Sequence, residues 1–428
     1  MSDLITRTAR RQFVVLLAVF IGAALGTLLG ASALVIVNPS ASDFVQQKSI
    51  SLRYRLAEIL PHPAQPEFVP TPLAVSTGTP SVTSVPLNDP IIEPPNDPTT
   101  QPPTASPTRA PTRTPSPKAD LKPIQPTVML RGIKHDYQHW NNCGPVTLEM
   151  DLSYFDRTDT QTEIAAFTKP NADDRNVRPD ELAAYVSRTG LRSITRVNGT
   201  LDLLKTLLSN NLPVIVETAL VKQPQGWMGH YRLLVGYDAR QFSTMDSYDG
   251  PNVKIAFDDL DAEWRAFNRL YLVIYPTAQD ARVRAILGDA LDDRTMYAQA
   301  AAVARAEIGS NSNDAFAEFN LGMSLNGLKR YPEAATAFDR ARTLGLPWRM
   351  LWYQFGPYEA YLQVGRYDEV IALADALLKA TDDLEESHYY KGLALRALGR
   401  AADARREFEA ALRWNSNYRD AQQALETP

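Results

Sequence analysis

The sequence predicts a multidomain chain: an N-terminal transmembrane helix, a disordered proline-rich stalk, an α+β domain and an all-α solenoid of helical repeats. Three observations predict this organisation. An uncharged apolar run lies near the N-terminus, most of the 31 prolines fall in one segment, and the last third of the chain repeats a pattern of aromatic and small residues. A chain of 428 residues has room for two or three domains of roughly 100–200 residues each.

The charge balance and the cysteine count exclude several classes of function. The chain has 44 Lys and Arg against 49 Asp and Glu, a net charge of -5, so no global basic field attracts a phosphate backbone and we expect no nucleic-acid partner. The single cysteine, Cys143, excludes an intramolecular disulfide and a zinc site built on several thiolates. We expect no metal and no cofactor.

The apolar run Phe13 to Val37 predicts a membrane anchor. It carries no charge, and as a helix it would be about 37 Å long, against a hydrocarbon core of about 30 Å. A cleaved signal peptide is the alternative, because Ala-Ser-Ala at 31–33 resembles a cleavage site, but the apolar core of a signal peptide is usually shorter. Three arginines precede the run, so we expect residues 1–12 in the cytoplasm and everything after Asn38 outside it. They are Arg7, Arg10 and Arg11.

Residues 38–127 are predicted to form a juxtamembrane segment and a stalk. From Pro61 to Pro126 the sequence is mostly Pro, Thr and Ser, without an apolar periodicity that could bury a core, so we expect disorder or polyproline-like structure. Extended at about 3.1 Å per residue, this segment could reach roughly 200 Å. A plain spacer is the favoured interpretation, and a docking site for proline-recognising modules is the alternative.

Globular sequence resumes near Val128 and soon reaches the most informative motif, Tyr137 to Pro145 (YQHWNNCGP). Apolar residues after Cys143 recur at helical spacing, and Pro145 suits a first helical turn, so a helix should begin at Cys143. The N-terminus of a helix favours an anion, which would lower the pKa of a thiol there. The alternative is a buried, inert cysteine.

A thiolate that acts as a nucleophile needs a base, and His230 is the best candidate. It opens a β-rich run that ends at Asp238, and a second strand-like element soon brings Asp246. A histidine on one strand and an acid on its neighbour can form a pair. The other histidines lie in the stalk, in the helical repeats or in the loop just before Cys143: His62, His388, His135 and His139.

Taken together, these residues resemble papain-like cysteine peptidases of the bacteriocin-processing (double-glycine) type, the C-39-like family, over about Val128 to Pro276. The resemblance rests on Gln138 upstream of N-x-C-G-P, the strand GHYRLLVGYD, the following DSYDG, Trp264, and a closing strand at 269–275. It implies an α+β papain-like domain at 128–276 in which a sheet packs against the cysteine helix. It also implies a role for each of four residues: Cys143 as nucleophile, His230 as general base and acid, Asp246 as orienting acid, and Gln138 as oxyanion donor.

Residues 277–428 repeat with a period of 34–36 residues, as shown by Tyr297, Tyr331, Tyr367 and Ala401. This pattern resembles tetratricopeptide repeats, with a degenerate first repeat from Ala281 and a closing helix at 418–425. A solenoid offers a concave face for a protein partner or an extended peptide, and simple buttressing of the peptidase-like domain is the alternative. We expect residues 128–276 to fold and react without the repeats.

The sequence therefore predicts a bacterial, single-pass membrane protein whose folded domains lie outside the cytoplasm. Its predicted function is that of a cysteine peptidase that hydrolyses peptide bonds, with the repeats binding a protein partner or the substrate. Two alternatives remain open: an amidase acting on cell-wall peptide, and a non-catalytic adaptor that binds peptides.

Overall fold

The computed structural model describes residues 68–73, 121–171, 173–222 and 226–427. The predicted cytoplasmic N-terminus (1–12), the predicted membrane span (13–37) and most of the predicted stalk lie outside these residues. Within the described part of the chain, no helix is long and apolar enough to cross a membrane. An α+β domain followed by an all-helical region confirms the predicted order of the two folded parts.

In the described residues, the α+β domain has one antiparallel sheet of seven strands. Six strands follow the order β2-β7-β3-β4-β5-β6, and the short β1 pairs with β4. The strands are β1 Val128–Met129, β2 Arg192–Arg196, β3 Val214–Lys222, β4 Gly226–Tyr237, β5 Gln241–Asp246, β6 Gly250–Ala256 and β7 Tyr271–Tyr275. The helices are α1 Cys143–Ser153, α2 Gln161–Thr168, α3 Pro179–Val186, α4 Leu201–Ser209 and α5 Phe257–Trp264.

The inner strands are apolar because both faces of the sheet are covered. On one face, Val214, Leu234 and Val273 pack in a core with helices α4 and α5. On the other face, Leu233 and Ile215 pack with α1 and α3. Strands buried on both faces have nearly continuous apolar sequences, and β4 places His230 at the centre of such a sheet, opposite Thr218 of β3.

The helical region runs from residue 280 to residue 426. Its helices are α6 Asp280–Leu287, α7 Asp293–Ser310, α8 Ala315–Gly327, α9 Tyr331–Leu344, α10 Gly356–Gln363, α11 Tyr367–Ala380, α12 Glu385–Ala397, α13 Ala401–Trp414 and α14 Arg419–Glu426. Close helix contacts explain the small residues of the repeat pattern: a Cβ on Gly322 would lie 2.6 Å from the ring of Phe338, and one on Gly392 would lie 2.4 Å from Phe408. The closing helix α14, at residues 419–426, begins one residue later than the predicted 418–425.

The first helix of this region belongs structurally to the α+β domain. Val283 and Leu287 of α6 are buried in the same core as Trp264 and Tyr275. The boundary predicted at 276 directly follows β7, yet a chain that ended there would lack this part of the core. The expectation that residues 128–276 fold alone is therefore not favoured by the structure.

The two folded parts also share an extensive interface. Trp227 of β4 stacks on Phe267 and on Phe316 of α8, with ring centroids 6.0 and 6.4 Å apart. Arg265 forms a salt bridge of 2.5 Å with Asp314. Buttressing, which the sequence analysis left as an alternative, is thus one role of the repeats.

Both ends of the predicted stalk depart from the expected disorder, because they pack on folded parts. Near its C-terminal end, the amide of Lys122 donates to Asn210 Oδ1 at 2.9 Å, and the carbonyl of Gln125 accepts from the Tyr237 hydroxyl at 2.6 Å. Near its N-terminal end, residues 68–73 lie on the helical repeats, where Val69 is only 2% exposed. The prediction of disorder used the average amino-acid composition of the whole stalk, and an average does not reveal short segments that bind elsewhere.

Candidate active site

Helix α1 begins at Cys143 itself, as the sequence predicted. Asn141, two residues before the helix, has a left-handed backbone with φ of 54°, which turns the chain into the helix. Gly144 lets the helix start press against the sheet, since a Cβ there would lie 3.2 Å from Val177 and 3.4 Å from the ring of Tyr231. This close approach brings the Cys143 thiol to the strand that carries His230.

Three of the four predicted site residues lie in one row. The Cys143 thiol lies beside the His230 side chain, close enough for each group to shift the pKa of the other. The other side of the imidazole bonds to the acid, with His230 Nε2 3.1 Å from Asp246 Oδ1. His230 and Asp246 are 2% and 0% exposed, so the ion pair between them is shielded from water.

The Asp246 carboxylate is fixed by several donors in addition to His230. Its Oδ1 accepts from the backbone amides of Tyr248 at 2.8 Å and Asp249 at 3.0 Å, and its Oδ2 accepts from Arg232 Nε at 2.9 Å. Burial alone would raise the pKa of Asp246, but the charge and hydrogen bond of His230 and the charge of Arg232 hold it well below its ordinary range. The acid is therefore ionised at any pH at which the protein would work.

The charges of the row favour a thiolate paired with an imidazolium. Burial raises the pKa of the Cys143 thiol, but the hydrogen bond and charge of His230, together with the Tyr231 amide and Lys169, bring it below its ordinary value. Burial lowers the pKa of His230, but Asp246 and Cys143 raise it to about 9. A proton that leaves sulfur is thus stabilised on the imidazole at neutral pH.

Gln138 lies in the loop before α1 and is held on two sides by Ser247. Its backbone N–H donates to the backbone carbonyl of Ser247 at 3.1 Å. Its side-chain Oε1 accepts from the Ser247 hydroxyl at 3.0 Å. With Oε1 bonded to Ser247, the NH₂ group is directed away from Ser247. Gln138 is 5% exposed, and its orientation is set by the fold.

Sequence reasoning missed Gln161, which fixes the loop that leads into Cys143. Its Nε2 donates to Asp136 Oδ2 at 2.7 Å and to the carbonyl of Tyr137 at 2.9 Å. Its Oε1 accepts from the amide of His139 at 2.8 Å and from Asn142 Nδ2 at 3.3 Å. Nothing in the local pattern of helix α2 predicts this contact, because it depends on how two segments pack.

Arg232 was also missed, although the sequence carried a signal for it. It lies two residues after His230 on β4, and side chains at i and i+2 share a face of a strand. Besides Asp246, it donates to Thr218 Oγ1 at 3.0 Å and to Glu263. Its charge is therefore shared between two carboxylates.

Lys169 is a third residue that the sequence did not reveal. Its side chain is buried, and Nζ donates to the carbonyls of Asp174 at 2.6 Å and Asn141 at 3.3 Å. It lies close enough to Cys143 for its charge to lower the pKa of the thiol. Lys169 thus supports both the loop and the negative charge on sulfur.

The other three histidines in the described ranges have different surroundings. His135 Nε2 lies 2.9 Å from the carbonyl of Asp246, and His139 is exposed in the same loop. His388 pairs with Glu407 in the repeats, with Nδ1 2.6 Å from the carboxylate. Across the described ranges, no three His, Cys, Asp or Glu side chains are grouped so that they could hold a metal ion.

The helical repeats reach the strand segment directly before His230. Gly229 packs directly on the repeats, since a Cβ there would lie 2.9 Å from both Tyr353 and Phe267. Residue 229 must therefore be glycine for the repeats to pack this closely on β4.

Comparisons with known proteins agree with this picture of the α+β domain. Residues 130–272 match the model of the family described as the Peptidase_C39 like family. A comparison with curated proteins gave no match.

Several solved structures are similar to parts of the chain. A C39-like peptidase from Bacillus anthracis is 15% identical, with 35% of this chain and 96% of that one covered and a TM-score of 0.29. The peptidase domain of Streptococcus ComA, an ABC transporter, is 14% identical, with 34% and 100% covered and a TM-score of 0.29. The tetratricopeptide-repeat protein YrrB is 17% identical, with 30% and 84% covered and a TM-score of 0.18.

The family match covers the segment that contains the row of Cys143, His230 and Asp246, and it confirms the resemblance drawn from the sequence. Residues 130–272 are similar to the Peptidase_C39 like family, which indicates that the chain is a cysteine peptidase.

Proposed function

We propose that this chain is a membrane-anchored, extracytoplasmic cysteine peptidase that hydrolyses peptide bonds with Cys143, His230, Asp246 and Gln138. The observation that carries the proposal is the buried row in which the Cys143 thiol lies beside His230 and His230 is hydrogen-bonded to Asp246. A binding-only domain has no need of an ionised carboxylate behind a histidine that faces a thiol. The match of residues 130–272 to a peptidase family supports the same conclusion.

The first half of the reaction is acyl transfer to sulfur. The Cys143 thiolate attacks the carbonyl carbon of the scissile bond, and the electron pair of the C=O bond moves to oxygen. The Gln138 NH₂ group and the Cys143 amide, an unpaired N–H at the start of α1, donate to this oxyanion. The oxyanion then collapses, His230 gives its proton to the leaving nitrogen, the C–N bond breaks, and a thioester remains.

The second half regenerates the enzyme. Neutral His230 accepts a proton from water, and the resulting hydroxide attacks the thioester carbon. The C–S bond breaks, the carboxylic acid product leaves, and the thiolate is again paired with imidazolium. Asp246 holds the imidazole in one orientation and stabilises its charge in both halves, as an orienting acid does.

The substrate class that fits this site is a peptide, and we propose that the helical repeats bind a protein partner or the substrate. Membrane attachment through residues 13–37 is proposed from the apolar run and its flanking arginines alone. Together these features describe an enzyme that acts at the outer face of a cell membrane.

Alkylation by iodoacetamide tests the proposed thiolate, because Cys143 is the only cysteine of the chain and every label reports on it. We expect rapid labelling at pH 6, and labelling at least tenfold slower in His230→Asn. His388→Asn is the matched control, since His388 also pairs with a carboxylate but lies away from the thiol. Equal rates in all three proteins would show that His230 does not activate Cys143.

Peptide hydrolysis tests the full proposal. We expect a library of unstructured peptides to be cleaved by the native chain, and no cleavage by Cys143→Ser. Gln138→Ala should lower kcat by about 10²–10³, the usual loss of one oxyanion donor, with little change in alkylation. Fast alkylation without cleavage of any peptide would exclude peptidase activity and leave a reactive thiol with another acyl substrate.

A further inference from the structure

Residues 68–73, with the sequence FVPTPL, lie on the helical repeats as an extended segment with specific backbone contacts. The amide of Val69 donates to the carbonyl of Leu346 at 2.9 Å. The carbonyl of Pro70 accepts from Arg342 Nε at 2.8 Å, and the amide of Leu73 donates to Glu369 Oε2 at 2.9 Å. Three backbone groups within five residues are thus bound by the repeats.

The surface that receives them is a built polar site. Arg342 and Glu369 are 2% and 4% exposed and form an ion pair, with Arg342 Nη1 2.7 Å from Glu369 Oε1. Each uses a further atom of its side chain to bind the segment, Nε for the carbonyl and Oε2 for the amide. A buried charged group that loses such a bond pays a desolvation penalty of about 1–3 kcal/mol or more, so the empty site would be unfavourable.

An apolar anchor completes the contact. Val69 is 2% exposed and belongs to the hydrophobic core of the repeats, together with Leu346 and Trp348. Phe68 lies beside Pro347 and over Gly345, where a Cβ would be 3.3 Å from its ring. The segment is therefore recognised through one buried side chain as well as through its backbone.

The sequence of the segment suits binding in an extended form. Pro70 and Pro72 have no amide hydrogen and hold the backbone near a polyproline conformation, so little conformational entropy is lost on docking. Of the remaining amides, those of Val69 and Leu73 are bound by the repeats. Thr71 lies between the prolines and is exposed, so its side chain contributes little to recognition.

We propose that the repeats carry a binding site for an extended proline-containing peptide, made by Leu346, Arg342 and Glu369, and that residues 68–73 fill it within the same chain. The 47 residues from 74 to 120 join this segment to the α+β domain. A tether of that length gives an effective concentration of the order of millimolar, so a free peptide of the same sequence competes poorly with the chain's own segment.

The proposal changes the expected reach of the stalk. In the anchored chain proposed above, residues 38–67 rather than 38–127 separate the membrane span from the folded body. Thirty residues span at most about 100 Å when fully extended, which is about half the reach estimated for the free stalk. The docked segment would hold the peptidase closer to the membrane.

The test compares two substitutions in the segment, which leave the repeats unaltered. Val69→Asp places a charge in the apolar anchor, and Thr71→Asp places the same charge on the exposed residue two positions later. Full-length chains in detergent are titrated with a fluorescein-labelled peptide of residues 66–75 (PEFVPTPLAV), and binding is followed by fluorescence anisotropy. Thermal unfolding establishes that each variant is folded.

We expect the labelled peptide to bind Val69→Asp at least tenfold more tightly than it binds the native chain or Thr71→Asp, because only Val69→Asp has an empty site. Hydrogen exchange should show slow amides at Val69 and Leu73 in the native chain and fast exchange at Leu73 in Val69→Asp. Equal peptide affinity in all three proteins, or no binding up to millimolar peptide, would overturn the proposal. A native dimer that Val69→Asp converts to a monomer would overturn the statement that the segment binds its own chain.

Discussion

Substitution of Asp246 by Asn should remove the negative charge of the active-site row while keeping the size and shape of the side chain. The amide side chain is isosteric with the carboxylate, and its oxygen can still accept from the amides of Tyr248 and Asp249. The NH₂ group then replaces Oδ2, so Arg232 Nε loses its acceptor, while Arg232 Nη1 keeps Glu263 and Thr218 as partners and the buried cation keeps one carboxylate. We therefore expect Asp246→Asn to fold, with a change confined mainly to His230 and Cys143.

The amount by which Asp246 stabilises the imidazolium follows from the pKa of His230. In the native protein it is about 9, against an ordinary value of 6.5, and at about 1.4 kcal/mol per pH unit the difference corresponds to about 3 kcal/mol. A charge at 3.1 Å with an effective dielectric constant of about 20 supplies about 5 kcal/mol, enough to account for it. Without the carboxylate, burial and the charge of Arg232 should bring the pKa of His230 to its ordinary value or below.

The pKa of the Cys143 thiol should change in the opposite direction to that of His230. An imidazolium that is less stable supports a thiolate less well, so the pKa of Cys143 rises as that of His230 falls. At pH 7 a histidine of pKa 9 is about 99% protonated, whereas one of pKa 6.5 is about 25% protonated. We expect iodoacetamide alkylation of Asp246→Asn at pH 7 to be slower by about fourfold and its pH profile to shift upward toward that of a free thiol.

The assay is the alkylation rate measured from pH 4 to pH 10 on native chain, Asp246→Asn and a control. Glu407→Gln is the control, because it removes the carboxylate that faces His388 without touching the row. Thermal unfolding of each variant shows whether the fold is intact. If the profile of a folded Asp246→Asn superimposes on that of the native chain, Asp246 does not set the charge of the pair.

Three other substitutions test residues that support the row. Lys169→Met should shift the acidic limb of the alkylation profile upward by roughly half a pH unit or more, since a positive charge near the thiolate is lost, and an unchanged profile would contradict this. Gln161→Ala should lower stability by about 2 kcal/mol and kcat at least tenfold, because the loop before Cys143 loses four bonds; denaturant unfolding and kinetics check both.

The third, Asp151→Asn, concerns a buried carboxyl group of α1 whose oxygens have no hydrogen-bond partner among the described residues. Burial holds its pKa well above the ordinary value, so its contribution to stability falls as pH rises above about 4. Asp151→Asn should raise Tm by several degrees at pH 8 and hardly at pH 4, and an equal change at both pH values would contradict this reasoning.

The sequence predicted the α+β domain and the helical region after it, and it singled out Cys143, His230 and Asp246 because these residues carry local signals. Cysteine before Gly-Pro marks a helix start, and histidine at the head of a β-rich run marks a strand. Lys169 and Gln161 carry no such signal. Each acts on the loop before Cys143 from a segment whose path is set by packing, and a single sequence does not contain that information.

The degenerate first repeat has a physical explanation as well. Helix α6 departs from the repeat pattern because its apolar residues, Val283 and Leu287, are buried in the core of the α+β domain. The two described ends of the stalk, residues 68–73 and 121–127, depart from the expected disorder for the reverse reason. Its prolines prevent a core of its own, yet the same prolines suit an extended segment that binds on another surface.

The position of α6 leads to an expected outcome for a shortened chain of residues 128–276. Such a chain would expose the surface that α6 covers on α4, and Trp227 and Phe267 would lose the rings of Phe316 and Tyr353. Large exposed apolar surface at the β4 end that carries His230 should lower Tm by more than 10 °C or cause aggregation.

Comparing a chain of residues 128–276 with one of residues 121–427 shows whether the repeats are a structural part of the enzyme or only bind partners. We expect the longer chain to keep the native rate of Cys143 alkylation at pH 6, and the shorter chain to lose most of it, because the Tyr353 ring packs on Gly229 next to His230. Tyr353→Leu in the full chain removes this ring contact while the rest of the repeats stays in place. Equal alkylation rates and unfolding temperatures for the two truncated chains would refute the structural role, and the repeats would then act on the choice of substrate alone.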